Sequence, residues 1–339
     1  MNRVLKKSNG IAIAVFTASL LSLFHGSAYA DECPSEDFSQ FLPAFSANAE
    51  TQQRWTAMTV KSLVLKPVGD HGVFEPKTMG LTSTNLAFPL MAPVGADKTE
   101  GVEVEEIDDN HFNVVDKRAG NSNIKIFNFS RQACWVLEGV EDWSISEKDL
   151  VETSKPRMSE AENFCFQRAE AFRGLGGLEQ YRLTGELFEA SLENYLCAAA
   201  SGDPQASLNA ASLSLSGMAP QLQTDKVEQL FKAAATTLPE GAMSLSLFYC
   251  DGNNISSNGP CQHPAQAEEA LTQAARMGSA FAINALGRAF ETGELVTKDM
   301  SRAVACYQVA AKKGSKGSIA HLERLNKQTA EITKASYCY

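Results

Sequence analysis

Hydrophobic positions along this chain follow three different rhythms, and the chain divides where the rhythm changes. Residues 11–24 are apolar almost throughout and the run stops at His25-Gly26. From Cys33 to Ile145 a short helical pattern gives way to alternation. Residues 35–49 place Phe38, Leu42, Phe45 and Ala49 at three- and four-residue spacings, which predicts an amphipathic helix opened by Ser35. Residues 56–66 alternate, 85–93 are apolar, 101–107 and 111–117 flank Asp108-Asp109-Asn110 as a hairpin, 124–129 alternate, and 133–140 close the region near Trp143. Together they predict an α+β domain over residues 31–145, one helix on a curved antiparallel sheet of about five or six strands. Trp135 and Trp143 belong to its core.

Past Lys155-Pro156 alternation ends, and Ala, Leu, Ser and Gln dominate in helical spacing. Residues 146–160 are read as the linker, 161–330 as helical repeats and 331–339 as a tail. A local signature, Ala-Ala-x-x-Gly, recurs from Ala198, Ala274 and Ala310, with a copy at Ala233 that has lost its glycine; the steps are 35, 41 and 36 residues. A period of about 36 residues marks a helix-pair solenoid of about four units. In the last unit Ala282, Leu286 and Phe290 line a first helix, and Gly287 lets a neighbour approach. Gly293 ends that helix, and Asp299 caps a second one carrying Ala303, Tyr307 and Ala310, which stops at Gly314.

Residues 282–314, with Leu286-Gly287, Phe290, Gly293, Leu295-Val296, Asp299, Ala303, Tyr307, Ala310-Ala311 and Gly314 in place, resemble the Sel-one-like repeat, a relative of the tetratricopeptide repeat. Residues 163–202, 202–235 and 240–278 meet the pattern in part, the last with an insertion at 252–263. The resemblance implies an all-α solenoid that scaffolds protein complexes. Exported proteins similar to this one include regulators, envelope-assembly factors and immunity proteins. The N-terminal region is similar to the cone-shaped, nuclear-transport-factor-two-like domains, which often hold small ligands. That likeness implies an alternative function, a small-ligand receptor with the repeats as output.

The first apolar run is too short for a membrane span, follows Arg3, Lys6 and Lys7, and ends in Ala28-Tyr29-Ala30, which predicts a signal peptide over 1–30. The exported chain is then expected in the periplasm, with secretion as the other outcome. The formal charge is −10, and removing this segment takes away three cations and no acid. So acidic a surface argues against nucleic acid or anionic membrane partners. Eight cysteines, Cys33, Cys134, Cys165, Cys197, Cys250, Cys261, Cys306 and Cys338, suit disulfides in an exported protein. About a hundred pairings are possible. Locality suggests Cys33–Cys134, Cys165–Cys197, Cys250–Cys261 and Cys306–Cys338, and cysteine-rich exported relatives of the repeat family are similar in stapling their repeats. A thiolate metal site is the weaker reading, since no CxxC pair occurs.

Catalysis finds no anchor. His71, His111, His263 and His321 are scattered, and no metalloprotease, nucleophile-elbow or phosphate-loop pattern occurs. Asp108-Asp109 beside His111 reads as a hairpin tip, Gly174-Leu175-Gly176-Gly177 as a helix break, and the acceptor pattern at Asn254-Ile255-Ser256 as incidental in a bacterium. No enzyme and no cofactor are expected. Partners are expected on the face of the first helices, at Ile283, Asn284 and Arg288, with Ser212 and Leu247 at the offset of Arg288 in the preceding units.

Overall fold

The computed structural model describes residues 33–69, 72–95, 97, 99–151, 158–179, 181–253, 259–328 and 337–339. The expected signal segment and its expected cleavage point, His71, Asn254-Ile255-Ser256 and parts of the expected linker and tail lie outside the described residues. The first helix, α1 (Phe38–Ser46), starts at Asp37 rather than Ser35, because the Asp37 carboxylate accepts the Ser39 N–H at 2.8 Å. Phe38, Phe41, Leu42 and Phe45 form its buried face. Asn48 then caps a separate helix, α2 (Ala49–Arg54), through the Thr51 N–H at 2.9 Å, so Ala49 opens a new helix instead of closing the old one.

Six strands follow: β1 (Thr56–Val68), β2 (Val73–Thr82), β3 (Val102–Asp108), β4 (His111–Asp116), β5 (Lys125–Arg131) and β6 (Trp135–Asp142). They form one sheet in the order β2-β1-β6-β5-β4-β3. The expectation of an antiparallel sheet fails at one pair, since β1 and β6 run parallel. The reason is residues 83–101, which carry the chain from β2 to the far edge before an antiparallel meander returns it to β1.

Residues 85–93, expected as a strand, belong to that irregular crossing. Pro89 and Pro93 offer no N–H to a ladder, and a buried side chain replaces the missing strand partner. Gln52 donates to the Met91 carbonyl at 2.7 Å and accepts the Leu90 and Met91 N–H groups at 2.7 and 3.0 Å. Met91 and Val94 are thereby pressed into the core around α1. The strand missing from the sequence reading is β2, an edge strand with Pro76, Gly80 and mostly exposed side chains, which lacks the alternation that marks the others.

Both faces of the sheet are covered. Phe127, Phe129, Leu137, Val114 and Val102 pack against α1 and residues 91–94 on one side. Leu65, Phe74, Val115, Ile124, Ile126 and Trp143 pack on the other against Ala171, Phe172 and Leu175 of α3 (Glu160–Gly177) and Leu187 and Ala190 of α4 (Thr184–Ala198). The first helix pair is therefore also the second layer of the sheet. Each valine, leucine, isoleucine or phenylalanine among them contributes about 1.5–3 kcal/mol by leaving water.

Seven further helices extend the array: α5 (Pro204–Leu215), α6 (Thr224–Ala235), α7 (Pro239–Asp251), α8 (Pro264–Arg276), α9 (Ala280–Thr292), α10 (Met300–Lys312) and α11 (Lys316–Gln328). Consecutive helices pack on each other, and one apolar core runs from Phe166 to Cys338. Asp203, Ser279 and Asp299 cap α5, α9 and α10. Gly202, Gly278 and Gly314 end α-helical pairs with φ of 79°, 91° and 89°, the left-handed region open to glycine. At Gly287 a Cβ would lie 2.8 Å from the Tyr307 ring, so glycine sets how closely α9 and α10 approach.

Candidate docking surfaces

Four disulfides join Cys33–Cys134, Cys165–Cys197, Cys250–Cys261 and Cys306–Cys338, the local pairs. The first ties the chain before α1 to the start of β6, and the second ties α3 to α4. The third closes the insertion after α7, where the Gln262 and His263 N–H groups also donate to the Cys250 and Tyr249 carbonyls at 3.1 and 3.0 Å. The fourth brings the C-terminal residues back onto α10. There the Arg302 guanidinium donates to the Cys338 carbonyl at 2.9 Å and lies 3.9 Å over the Phe290 ring.

Between α7 and α9 lies a shallow groove of about 120 Å3, lined by Met243, Leu247, Cys250, Arg288 and Leu295 among others. Leu247 is 57% exposed and Arg288 stands free of the core, so two residues singled out from sequence meet in one place. Ser212 is exposed on α5, outside this groove. The other two are corrected. Ile283 is fully buried, because Ile283, Leu286, Gly287 and Phe290 share the three- and four-residue stripe that faces the core. Asn284 is half-buried and accepts the Ser318 hydroxyl at 2.6 Å, so α11 already occupies it.

A second pattern escaped the sequence reading. Tyr195, Tyr249 and Tyr307 each donate a phenolic hydroxyl to a glutamate on a neighbouring helix, Glu170, Glu228 and Glu291. Burial, and then the adjacent carboxylate, pushes the Tyr195 and Tyr307 hydroxyls above the ordinary tyrosine range. Burial opposes charge on Glu291, but the Tyr307 hydroxyl and Arg324 outweigh it and hold the carboxyl below its usual range. His321 stacks on Tyr307 with ring centroids 4.6 Å apart. These pairs brace helix to helix, and the spacing of Tyr to Glu, which differs between units, hid them.

The larger concavity is elsewhere, a cleft of about 970 Å3 between α1 and β3. Phe38, Leu42, Val102, Phe112 and Trp135 make its floor, with Phe38 and Phe112 stacked 4.4 Å apart. Its rim is acidic, with Asp37, Asp97, Glu106 and Asp109. Arg131, a cation among the lining residues, is matched by Glu36 at 3.1 Å. On the other side of β3, Glu103 pairs with Lys117 at 3.2 Å, Lys117 with Glu186 of α4 at 2.9 Å, and Glu105 with Arg182. The expected hairpin-tip reading of Asp108 and His111 holds: the two are exposed and paired at 2.8 Å.

No protein-family model matches the chain, and no curated protein matches it. One similar solved structure is a protective antigen of uropathogenic Escherichia coli strains displaying an SLR fold, 23% identical over 47% of this chain and 34% of that one, with a TM-score of 0.38. The matched part is thus about a third of that protein. A Sel1 repeat protein from Oxalobacter formigenes is 21% identical over 50% of this chain and 67% of that one, with a TM-score of 0.38. A sel1 repeat protein from Klebsiella pneumoniae subsp. pneumoniae is 16% identical over 49% and 84%, with a TM-score of 0.29. Two of these three solved structures are sel1 repeat proteins and the third displays an SLR fold.

Proposed function

We propose that this protein is a periplasmic scaffold or regulator that holds another protein through its helical repeats and catalyses no reaction. The observation that carries the reading is the α7–α9 groove, where Leu247 and Arg288 stand exposed on a stack whose core is already complete. An exposed leucine beside an arginine, over a floor that includes a disulfide, gives a partner an apolar anchor and a fixed charge. Four disulfides suit an exported chain. Regulation, envelope assembly and immunity against a toxin are the roles such a grip serves, and the partner decides among them. His111, His263 and His321 sit on a hairpin, at the start of α8 and within α11, which favours a binding role over a convergent catalytic group.

The test is a pull-down from periplasmic extract with the disulfide-intact chain, set against a Leu247→Glu/Arg288→Glu/Ser212→Glu variant. A stoichiometric partner retained by the first and lost by the second is the expected result. A partner held equally by both, or none, would remove the groove as the working surface.

A further inference from the structure

We propose that the cleft between α1 and β3 takes a basic, extended segment of a partner protein, which adds to β3 as a seventh strand of the sheet. This goes beyond the groove reading and does not depend on it.

The backbone supplies the first reason. β3 is the edge of the sheet. The Gly101 carbonyl accepts the Lys117 N–H at 2.6 Å, and the Asn110 carbonyl accepts the Arg131 N–H at 2.8 Å. Both bonds set the same alternation: Gly101, Glu103 and Glu105 turn their backbone groups towards β4, and Val102, Val104 and Glu106 turn theirs outward. The Thr99 carbonyl takes the Val102 N–H at 3.1 Å. Among the described residues no backbone group takes the Val104 or Glu106 N–H, so the edge offers a ladder to an incoming chain.

Side chains supply the second. Glu103 and Glu105 are engaged on the helix side of the strand, and alternation puts Val102, Val104 and Glu106 on the cleft side. Val104 is 49% exposed there, next to the half-buried Phe112. Every second residue of an added strand would cover this apolar floor. β3 has seven residues, so a segment of about seven matches its length at roughly 3.3 Å each. Charge supplies the third: Asp97, Glu106 and Asp109 have no ion-pair partner among the described residues, whereas Arg131 is already matched by Glu36. Among the described residues the uncompensated charge of the cleft is negative, and the complement is a lysine- or arginine-bearing chain.

Calorimetry on the disulfide-intact chain tests this with acetylated, amidated heptapeptides in which Lys alternates with Val, Leu or Phe. The best Lys peptide is expected to bind at least about tenfold tighter than its Glu counterpart. N-methylation along one edge of the peptide should weaken it by about tenfold, while methylation of the other edge leaves it unchanged. Val104→Pro, which removes an outward N–H but no bond to β4, should weaken it similarly. Glu106→Lys/Asp109→Lys should reverse the preference between Lys and Glu peptides, which keeps the test decisive if the proline variant misfolds. Leu247→Glu/Arg288→Glu should leave the peptide affinity unchanged, so failure of the groove reading is told apart from failure here. Equal binding of Lys and Glu peptides, indifference to methylation on both edges, or binding of dodecyltrimethylammonium as tight as the best peptide would overturn the proposal. The last result would give the cleft to small cationic amphiphiles instead.

Discussion

In the helical array a core residue meets its partners one helix away, whereas in the sheet domain the partners come from the far end of the domain. Gly287 of α9 faces Tyr307 of the next helix, and the disulfides Cys165–Cys197 and Cys306–Cys338 each span 32 residues. By contrast, β1 is sealed by β6, and the Trp135 indole N–H donates to the Glu36 carbonyl at 2.8 Å across 99 residues. An array of local contacts gains stability unit by unit. The sheet gains little until its distant ends meet, because closing the chain costs entropy before any long-range contact is made. The first helix pair belongs to both regimes, since α3 and α4 pack on the sheet and on the array.

Disulfide removal should expose this difference most strongly. Cys33–Cys134 spans 101 residues and Cys250–Cys261 spans 11. Restriction of the unfolded chain then assigns about 5 kcal/mol to the first bond and about 3 kcal/mol to the second. Denaturant unfolding of Cys33→Ala/Cys134→Ala is expected to show the larger loss, concentrated in the sheet. Cys250→Ala/Cys261→Ala should leave the rest of the array folded. Equal losses, or a larger one for the short loop, would show that native contacts around the bonds matter more than the span they close.

The same contrast decides what was readable in the sequence. The array was legible because its signals are local: glycines after Ala-Ala pairs, Asp299 as a cap, and Gly287 opposite Tyr307 all fall within one period. Even its error was local, since Ile283 stands seven residues before Phe290 and so on the core stripe. In the sheet domain β2 was missed and residues 85–93 were misread. Whether an apolar run becomes a strand there depends on Gln52, which lies 39 residues before Met91 and takes its backbone groups. The cleft was illegible for the same reason: α1 and β3 build it together, and no spacing within either announces the other. Leu247 and Arg288 could be placed on one face from their equal offsets in successive units, and what the sequence did not show is the groove that α7, α8 and α9 form around them.

Glycine substitution gives a sharper test at smaller amplitude. Gly287→Ala places a Cβ 2.8 Å from the Tyr307 ring, and the resulting overpacking is expected to cost about 1–3 kcal/mol. Gly174 is exposed within α3, and a Cβ there meets nothing within 4 Å. Gly174→Ala should therefore stabilise the protein by about 0.5–1 kcal/mol through helix propensity. Thermal unfolding of the two variants checks the signs; a loss at both sites would mean that α3, pressed against the sheet, tolerates no added side chain even on its open face.

An effect of similar modest size concerns the brace between the last helices, and it should depend on pH. Glu291 accepts the Tyr307 hydroxyl at 2.7 Å and pairs with Arg324. Burial raises its pKa, but those partners prevail and the folded carboxyl titrates below its ordinary value of 4.5. A group whose folded pKa is depressed contributes its stability above the unfolded value and loses it as pH falls through the folded one. Glu291→Gln keeps an acceptor for Tyr307 and loses the charge facing Arg324 and His321, so at neutral pH it should cost about 1 kcal/mol. As pH falls from 4.5 through the lower folded pKa the wild type takes up the proton and gives up the same charge, and the two stability curves should converge. A gap that persists undiminished at low pH would place the value of Glu291 in its shape and hydrogen bond, and the brace would then be a packing device rather than an electrostatic one.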